Sequence, residues 1–286
     1  MSQRAEDAFR ADIVEIGRRL YARAYVASND GNISIRLDDA TILTTPKSVS
    51  KGFMTPDMMV VVDLDGKKIR GTRDASSELL MHLEVYKNRP DVRAVVHAHP
   101  PIATGFAVAG IPLDRAVLAE VVTTLGSIPI AEYATPSTPE LPAAVRKYIK
   151  AHDGLLLANH GALTIGPDVY AAYYKMETIE HFAKISLVTR QLGRENLLSR
   201  EEVHRLQDLR GNYGIKSPAP ICADGSEQAP STDQASCQII EAPASRGARL
   251  IPTDPADLDG EIRLSYRELT ALIEDAVKAL LGGQHG

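Results

Sequence analysis

The sequence predicts an α/β domain followed by a linker and a short C-terminal helix. Segments with helical apolar spacing alternate with short apolar runs of strand length, which is typical of α/β folds. At 286 residues, 44% of them apolar, the chain is long enough for one such domain with a buried core and an appendage. Composition changes near Lys216, so we expect the domain to cover residues 1–216, the linker 217–260 and the helix 261–283.

The N-terminal part is predicted to be a helix followed by short strands. Apolar side chains recur at helical spacing in residues 5–25. The Asn, Asp and Gly residues of 28–34 indicate a tight turn, because they tolerate left-handed backbone angles. Apolar runs then predict strands at 33–37, 41–45 and 59–64.

The central part alternates helices and strands. Ser76 or Ser77 can cap a helix that runs to Asn88. Residues 114–126 carry no pattern that decides between helix and strand. The remaining predicted elements are a strand at 94–99, helices at 101–109, 139–150 and 168–192, and strands at 128–130 and 155–160.

The C-terminal tail has two parts. Residues 217–259 are dominated by Pro, Ala, Ser, Asp and Gly without sustained periodicity, which is typical of a disordered linker. One continuous apolar stripe then predicts an amphipathic helix that Gly282 and Gly283 end. The stripe consists of Leu269, Leu272, Ile273, Ala276, Val277, Leu280 and Leu281.

Composition argues against several classes of partner. A net charge of −5 without compact basic clusters disfavours nucleic acid. No apolar run approaches the ~20 residues of a membrane span, and the N-terminus lacks the apolar core of a secretory signal. Cys222 and Cys237 form neither a Cys-x-x-Cys motif nor a disulfide framework. We therefore expect a cytoplasmic protein with no nucleic-acid or membrane partner.

The strongest chemical signal is the segment 94–99, which places two imidazoles on one face of a strand. Side chains alternate along a strand, so His97 and His99 share a side, and Pro100 leaves His99 at the exposed end. Two neutral imidazoles at this spacing can hold one divalent metal, although His-x-His also occurs by chance. His160, after an independent apolar strand, is a candidate third ligand. Three His ligands leave a coordination position open, as in catalytic zinc sites.

The other histidines lack such a context and are expected to be surface or structural residues. His82 lies four residues after Glu78 on the same predicted helix face, so it either orients that acid or is a solvated helix histidine. The remaining members of this group are His152, His181, His204 and His285.

Two polar motifs are consistent either with an anion site or with plain local structure. Ser76 and Ser77 precede a helix, where hydroxyls and free amides make an anion pocket. Glu78 beside a metal would be partly desolvated and could act as a general base. The alternative for all three is a helix cap with a first-turn Glu. Gly31 and Asn32 are likewise either a plain turn or a place where backbone amides approach a phosphate.

Six motifs, in one order, together resemble the class II aldolase/adducin family, specifically the L-fuculose-1-phosphate aldolase type, over residues 8–215. The motifs are Gly31-Asn-Ile-Ser34, Thr45-Pro46, Ser76-Ser-Glu78, His97-Ala-His99, Ile128-Pro-Ile-Ala-Glu-Tyr-Ala-Thr135 and Asn159-His-Gly161. The resemblance implies a three-layer αβα fold with a central, mostly antiparallel or mixed sheet. It also implies a homotetramer with active sites between subunits.

The resemblance further implies residue roles. His97, His99 and His160 would bind Zn²⁺, or another divalent metal, with Glu78 as fourth ligand at rest and acid/base during turnover. The residues implied to hold a substrate phosphate are Gly31, Asn32, Ser76 and Ser77. Lys47-Ser48 stands where family members often carry Thr-Gly, and the lysine can add a point charge to the phosphate site.

One catalytic tyrosine of the family is missing here. Leu118 stands at that position, so the proton donor is absent or relocated. Tyr213, followed by Gly214, matches a second family tyrosine and is a candidate proton donor to the leaving aldehyde. Its alternative role is to pack the last turn of the domain.

The activity implied by the resemblance is retro-aldol cleavage of a sugar phosphate. L-Fuculose 1-phosphate or L-rhamnulose 1-phosphate would give dihydroxyacetone phosphate and lactaldehyde. Rival readings are a pentulose-phosphate 4-epimerase, a methylthioribulose-phosphate dehydratase and a non-catalytic adducin-like module. The epimerases carry Asp where Glu78 stands, which favours the aldolase, and the intact histidines argue against a silent module.

The tail resembles the encapsulation peptides that direct enzymes into bacterial microcompartments. Helix 261–283 would then place its apolar stripe in a groove of a shell protein. The alternative is that it docks on its own domain or on a sister subunit.

Overall fold

A computed structural model describes residues 3–215 and Ile221. Apart from Ile221, the predicted linker and the C-terminal helix lie outside the described residues. Ile221 is buried beside Val122 and Val203.

A mixed β-sheet forms the centre of the described part. Its strands are β1 (Asn32–Arg36), β2 (Thr41–Thr44), β3 (Val60–Asp63), β4 (Lys68–Arg70), β5 (Ala94–Ala98), β6 (Ile130–Ala131), β7 (Gly154–Leu157) and β8 (Gly161–Gly166). Their spatial order is β4-β3-β2-β1-β5-β8-β7-β6. Every neighbouring pair is antiparallel except β6 and β7, which are parallel.

Helices cover both faces of this sheet. They are α1 (Gln3–Ala22), α2 (Leu79–Asn88), α3 (Pro101–Ala109), α4 (Ala119–Thr124), α5 (Glu140–Arg146), α6 (Val169–Gln191) and α7 (Arg200–Asp208). One hydrophobic cluster joins α1, α3 and α6 to the sheet, and a second joins α2 and α5 to it. The three-layer arrangement with a mixed, mostly antiparallel sheet is therefore confirmed. Over residues 3–215, no helix has both the length and the apolarity of a membrane span.

The central strand β5 divides its side chains between the two clusters as the alternation of a strand requires. Val96 and Ala98 pack in the cluster with α1, α3 and α6, whereas Val95 packs in the cluster with α2. His97 follows the parity of Val95 and therefore points to the α2 side. This places an imidazole where the N-terminal end of α2 can reach it.

Several predicted boundaries are wrong. The cap position of α2 is Glu78, not Ser76 or Ser77, and it has no side-chain cap. The strand predicted to reach residue 160 ends at Leu157, because Asn159 adopts a left-handed φ of 56° and the chain reverses into β8. The predicted helix 139–150 is regular only over Glu140–Arg146. Strands β4 and β8 and helix α7 were not predicted, and α4 occupies the undecided segment.

Candidate metal centre and active site

Three histidines converge at the end of the β5–β8 pair. His97 lies on β5, His99 follows it, and His160 lies in the turn that leads into β8, next to the paired residues Ala98 and Ala162. The Nε2 atoms of His97 and His99 are 3.0 Å apart. One nitrogen from each of the three rings lies within 4.8 Å of the others. The predicted grouping of these histidines is thus present in the fold.

Local backbone geometry makes this convergence possible. A Cβ on Gly161 would lie 2.6 Å from the carbonyl oxygen of Ala98 and 2.6 Å from Cδ2 of His99. These distances are too short for any side chain, so only glycine lets β8 begin directly beneath the His99 ring. Asn159, with its positive φ, turns the chain immediately before His160.

The carboxylate of Glu78 also lies against this cluster of histidines. Its Oε1 is 3.0 Å from His160 Nε2, and its Oε2 is 3.4 Å from His97 Nε2. Asn32 donates a hydrogen bond of 2.8 Å to Oε2, and Ser76 Oγ accepts the Glu78 N–H at 3.3 Å. Burial by itself would raise the pKa of Glu78, but His97, His160 and Asn32 outweigh it and hold the pKa well below its usual range. The side chain is therefore a carboxylate.

Outer contacts orient two of the imidazoles. His97 Nδ1 donates to the carbonyl oxygen of Ala162 at 2.9 Å, which leaves the Nε2 lone pair of a neutral ring free. His99 Nδ1 lies 3.5 Å from Asp30 Oδ2. Burial lowers the pKa of both His97 and His99, which favours the neutral form that binds metals.

This donor set fits a divalent metal ion. His97, His99 and His160 offer three imidazole nitrogens around one point, and Glu78 offers a carboxylate oxygen at the same point. Imidazole with one carboxylate is a ligand combination that suits Zn²⁺, and three histidines are a donor set typical of catalytic zinc sites.

Three chain segments that carry the predicted phosphate ligands lie beside this centre. We call residues 28–32 the first loop, 45–50 the second loop and 74–77 the third loop. The first loop touches β5, because a Cβ on Gly31 (φ 73°) would lie 2.9 Å from the His97 carbonyl oxygen. The second loop joins the third through Lys47 N–H to Asp74 O and Ser76 N–H to Thr45 O. The side chains of Lys47, Ser48 and Ser77 are exposed.

Tyr213 is not brought to the histidines of its own chain. It lies in a 3₁₀ turn over Leu209–Tyr213 and lines a cavity of about 290 Å³ with Gly166 and Lys175. Gly166 ends β8, whereas His160 precedes it, so six residues of extended chain, roughly 20 Å, separate the two sites. Leu118, at the position of the missing family tyrosine, is the cap residue of α4.

Two of the histidines that are not predicted metal ligands are buried. His82 is 1% exposed, so its reading as a solvated helix histidine is wrong. Its Nδ1 is 2.7 Å from Ser34 Oγ, which in turn lies 2.8 Å from the Tyr86 hydroxyl, and burial lowers the pKa of His82 to about 4. His152 donates from Nδ1 to the Ser127 carbonyl oxygen at 3.2 Å.

Sequence reasoning missed two charged residues near the site. Asp30, which faces His99, belongs to a motif that indicates only a turn. Lys51 is almost fully buried, in a stretch of sequence that mixes polar and apolar residues. A lysine next to a glycine gives no signal of burial, because burial here depends on the packing of α1 against a distant loop.

Comparison with known proteins points to one family. The family model described as "Class II Aldolase and Adducin N-terminal domain" matches residues 11–187. The L-fuculose phosphate aldolase of Methanococcus maripaludis is 35% identical over 181 residues, which cover 63% of this chain and 97% of the relative. The 3-oxo-tetronate 4-phosphate decarboxylase of Pectobacterium atrosepticum is 31% identical, covering 64% and 86%.

Further similarities agree with this result. The 5-deoxy-D-ribulose 1-phosphate aldolase of Bacillus thuringiensis is 32% identical over 206 residues, covering 72% of this chain and 96% of the relative. A solved structure of an L-fuculose 1-phosphate aldolase superposes with a TM-score of 0.67 at 28% identity, covering 73% of this chain and 96% of that one. The relatives thus share the fold but differ in the reaction that their names give.

Proposed function

The chain belongs to the class II aldolase and adducin family, and from that premise we propose that it is a metal-dependent aldolase that cleaves a ketose 1-phosphate. The observation that carries the proposal is the convergence of His97, His99 and His160 with the Glu78 carboxylate in contact. Its substrates would be L-fuculose 1-phosphate or L-rhamnulose 1-phosphate. The products would be dihydroxyacetone phosphate and lactaldehyde.

In the proposed reaction the C4 hydroxyl loses a proton, the C3–C4 bond breaks, and C3 gains a proton. A divalent metal such as Zn²⁺ on His97, His99 and His160 would act as a Lewis acid that stabilises the negative charge on the ketose fragment. Glu78 lies against the same cluster of histidines and, in this proposal, is the residue that moves the proton at C3. No Schiff base is involved, so no lysine acts as a nucleophile.

Asn32 sets the position of that carboxylate. Its amide donates to Glu78 Oε2 at 2.8 Å, and its own Oδ1 is buried without a hydrogen-bond partner in the described part of the chain. In this proposal the Asn32 side chain orients Glu78 for the proton transfer at C3.

The phosphate group of the substrate would bind where the first, second and third loops meet. Backbone amides of the first loop and hydroxyls of the third loop are the donors in this proposal, with the Lys47 side chain free to approach from solvent. The residues concerned are Gly31, Asn32, Lys47, Ser48, Ser76 and Ser77. Their proximity to the metal centre supports this assignment.

Tyr213 can act on the aldehyde only in the site of a neighbouring subunit. Within one chain it lies at the far end of β8 from His160. A homotetramer with shared active sites would bring the Tyr213 of one copy to the histidines of another. The oligomer and the role of Tyr213 are therefore parts of one proposal.

A substrate panel with identification of products tests the function. The full chain, loaded with Zn²⁺, is incubated with L-fuculose, L-rhamnulose and 5-deoxy-D-ribulose 1-phosphates. Release of dihydroxyacetone phosphate together with an aldehyde supports the aldolase. Bound zinc with no triose phosphate from any ketose 1-phosphate refutes it.

A decarboxylase is the second candidate, because one relative at 31% identity is a 3-oxo-tetronate 4-phosphate decarboxylase. A divalent metal that stabilises the negative charge left by C–C cleavage, with a carboxylate that moves the proton, would serve carbon dioxide loss equally well. Release of carbon dioxide from a 3-oxo-tetronate 4-phosphate in the same assay would favour this reaction. Epimerised or dehydrated products would instead indicate the other rivals.

We propose that the tail, residues 217–286, directs the enzyme from the cytoplasm into a bacterial microcompartment. Support comes from the sequence pattern alone, a linker followed by one amphipathic helix. Deleting the tail is expected to leave catalysis intact and to abolish co-purification with shell proteins. Loss of activity on deletion would instead indicate that the helix docks on the enzyme.

A further inference from the structure

Lys51 carries a buried ammonium group beside the candidate phosphate loops. It begins a 3₁₀ turn over Lys51–Phe53, and only 1% of its surface is exposed. Nζ donates to the carbonyl oxygen of Asn29 at 3.0 Å and to that of Val49 at 2.6 Å. A buried charge destabilises a fold unless it is paired, so this placement calls for a reason.

The two carbonyl groups belong to different loops. Asn29 lies in the first loop, two residues before Gly31, whose backbone lies against β5. Val49 lies in the second loop, which is hydrogen-bonded to the third. One ammonium group therefore joins the first and second loops directly, and the backbone bonds of the second loop extend this link to the third.

The position of Lys51 is fixed by close packing against α1. A Cβ on Gly17 would lie 2.6 Å from the Lys51 carbonyl oxygen, so only glycine lets the turn lie this close to the helix. Asp30 and Glu78 are the charged groups that act on the ammonium. Burial lowers the pKa of Lys51 to about 8 against their attraction, so the group is still mainly protonated at neutral pH.

We propose that Lys51 is a positioning residue for the phosphate group of the substrate. Its ammonium holds the first and second loops at a fixed separation and places a positive charge behind their backbone amides. This inference depends on the proposed function for the identity of the ligand. It assigns the main electrostatic role to the buried Lys51 rather than to the exposed Lys47.

Steady-state kinetics of Lys51→Met on the cleaved ketose 1-phosphate test the proposal. Methionine keeps the volume and removes the charge. Because charge-assisted contacts of this kind are lost, KM should rise about 10- to 100-fold. The value of kcat should stay within about threefold, because bound substrate still meets Glu78 and the metal ligands. Lys67→Met, which removes an exposed lysine in the β3–β4 turn, is the matched control and should leave both constants unchanged.

Each outcome decides for or against the role. An unchanged KM in Lys51→Met, or a fall in kcat alone, overturns the proposal. If Lys51→Met melts much earlier than the wild type, Lys51→Arg separates charge from folding. A wild-type-like KM in Lys51→Arg supports the role, and a KM as high as that of Lys51→Met overturns it.

Binding of inorganic phosphate separates this inference from the proposed function. If the wild type cleaves no ketose 1-phosphate, the proposed function fails, and titration calorimetry with inorganic phosphate still tests Lys51. Weaker phosphate binding by Lys51→Met than by the wild type supports the inference. Equal binding by the two proteins, or none by the wild type, overturns it.

Discussion

Replacing Gly161 by alanine should weaken metal binding strongly while the domain still folds. The added Cβ would lie 2.6 Å from the Ala98 carbonyl oxygen and from His99 Cδ2, about 0.8 Å short of an ordinary contact of 3.4 Å. The carbonyl belongs to the central strand and cannot yield. The His99 ring, which is 25% exposed in its side chain, can swing outward.

Because the Ala98 carbonyl is fixed and the His99 ring can move, the expected loss of stability is modest and the expected loss of metal affinity is large. Overpacking a tight site costs about 2 kcal/mol, which lowers Tm by about 4–8 °C in a domain of this size. Displacing one of three histidines should weaken metal binding by at least about 10- to 100-fold, the effect seen for disturbed ligand orientation. Gly161→Ala is therefore predicted to fold and to lose its metal.

The assay compares metal content with melting temperature. Wild type and Gly161→Ala are loaded with Zn²⁺, dialysed against a competing chelator and measured for bound metal and for Tm. Gly105→Ala is the matched control, because Gly105 lies in α3 with nothing within 4 Å of an added Cβ. That variant should keep its metal and gain about 0.5–1 kcal/mol of stability. Full metal retention and full activity in Gly161→Ala would refute the reasoning.

Three further predictions concern chemistry, pH and assembly. Glu78→Gln should lower kcat by about 10²- to 10⁴-fold while metal analysis still finds the ion, because three histidines remain. Glu15→Gln, at a side chain of α1 that is 43% exposed, should be silent, and an active Glu78→Gln would exclude its acid/base role. His82 is buried with a pKa of about 4, so the neutral side chain is the form that the fold favours. Its contribution to stability is complete above the unfolded pKa of about 6.5. As the pH falls towards 4, about 3 kcal/mol of stability is lost. Urea unfolding between pH 7 and pH 5 should show a smaller loss for His82→Gln than for the wild type, and equal losses would contradict this. Mixing Tyr213→Phe with Glu78→Gln subunits should restore part of the activity that each variant lacks, whereas no recovery on subunit exchange would exclude shared sites.

The layers and the shared face of His97 and His99 could be predicted because they depend on local pattern. His97 and His99 share a face by strand alternation, and β5 is apolar enough to identify it as a central strand. Helices α1, α3 and α6 have clear apolar spacing or a proline at the start. Such signals are contained in a few consecutive residues.

The remaining features depend on contacts between distant segments. Strand β8 could not be predicted, because the turn at Asn159 lies within one run of mostly apolar and small residues. The burial of His82 depends on Ser34 in another element, 48 positions away in sequence. Lys51 is buried by loops and by Gly17 on α1, and Tyr213 lies at the wrong end of β8 for a role within one chain. None of these relations has a signature in the segment that carries the residue.

The two borders of the sheet limit how copies of the chain can associate. On one side, β4 has only three residues, Lys68–Arg70, all exposed, and its register with β3 is interrupted by a bulge between Val61 and Val62. On the other side, β6 has two residues. Short, charged and irregular border strands discourage another chain from extending the ladder. In the proposed homotetramer, subunits should therefore assemble through helices and loops, and not by continuing the sheet from one molecule to the next.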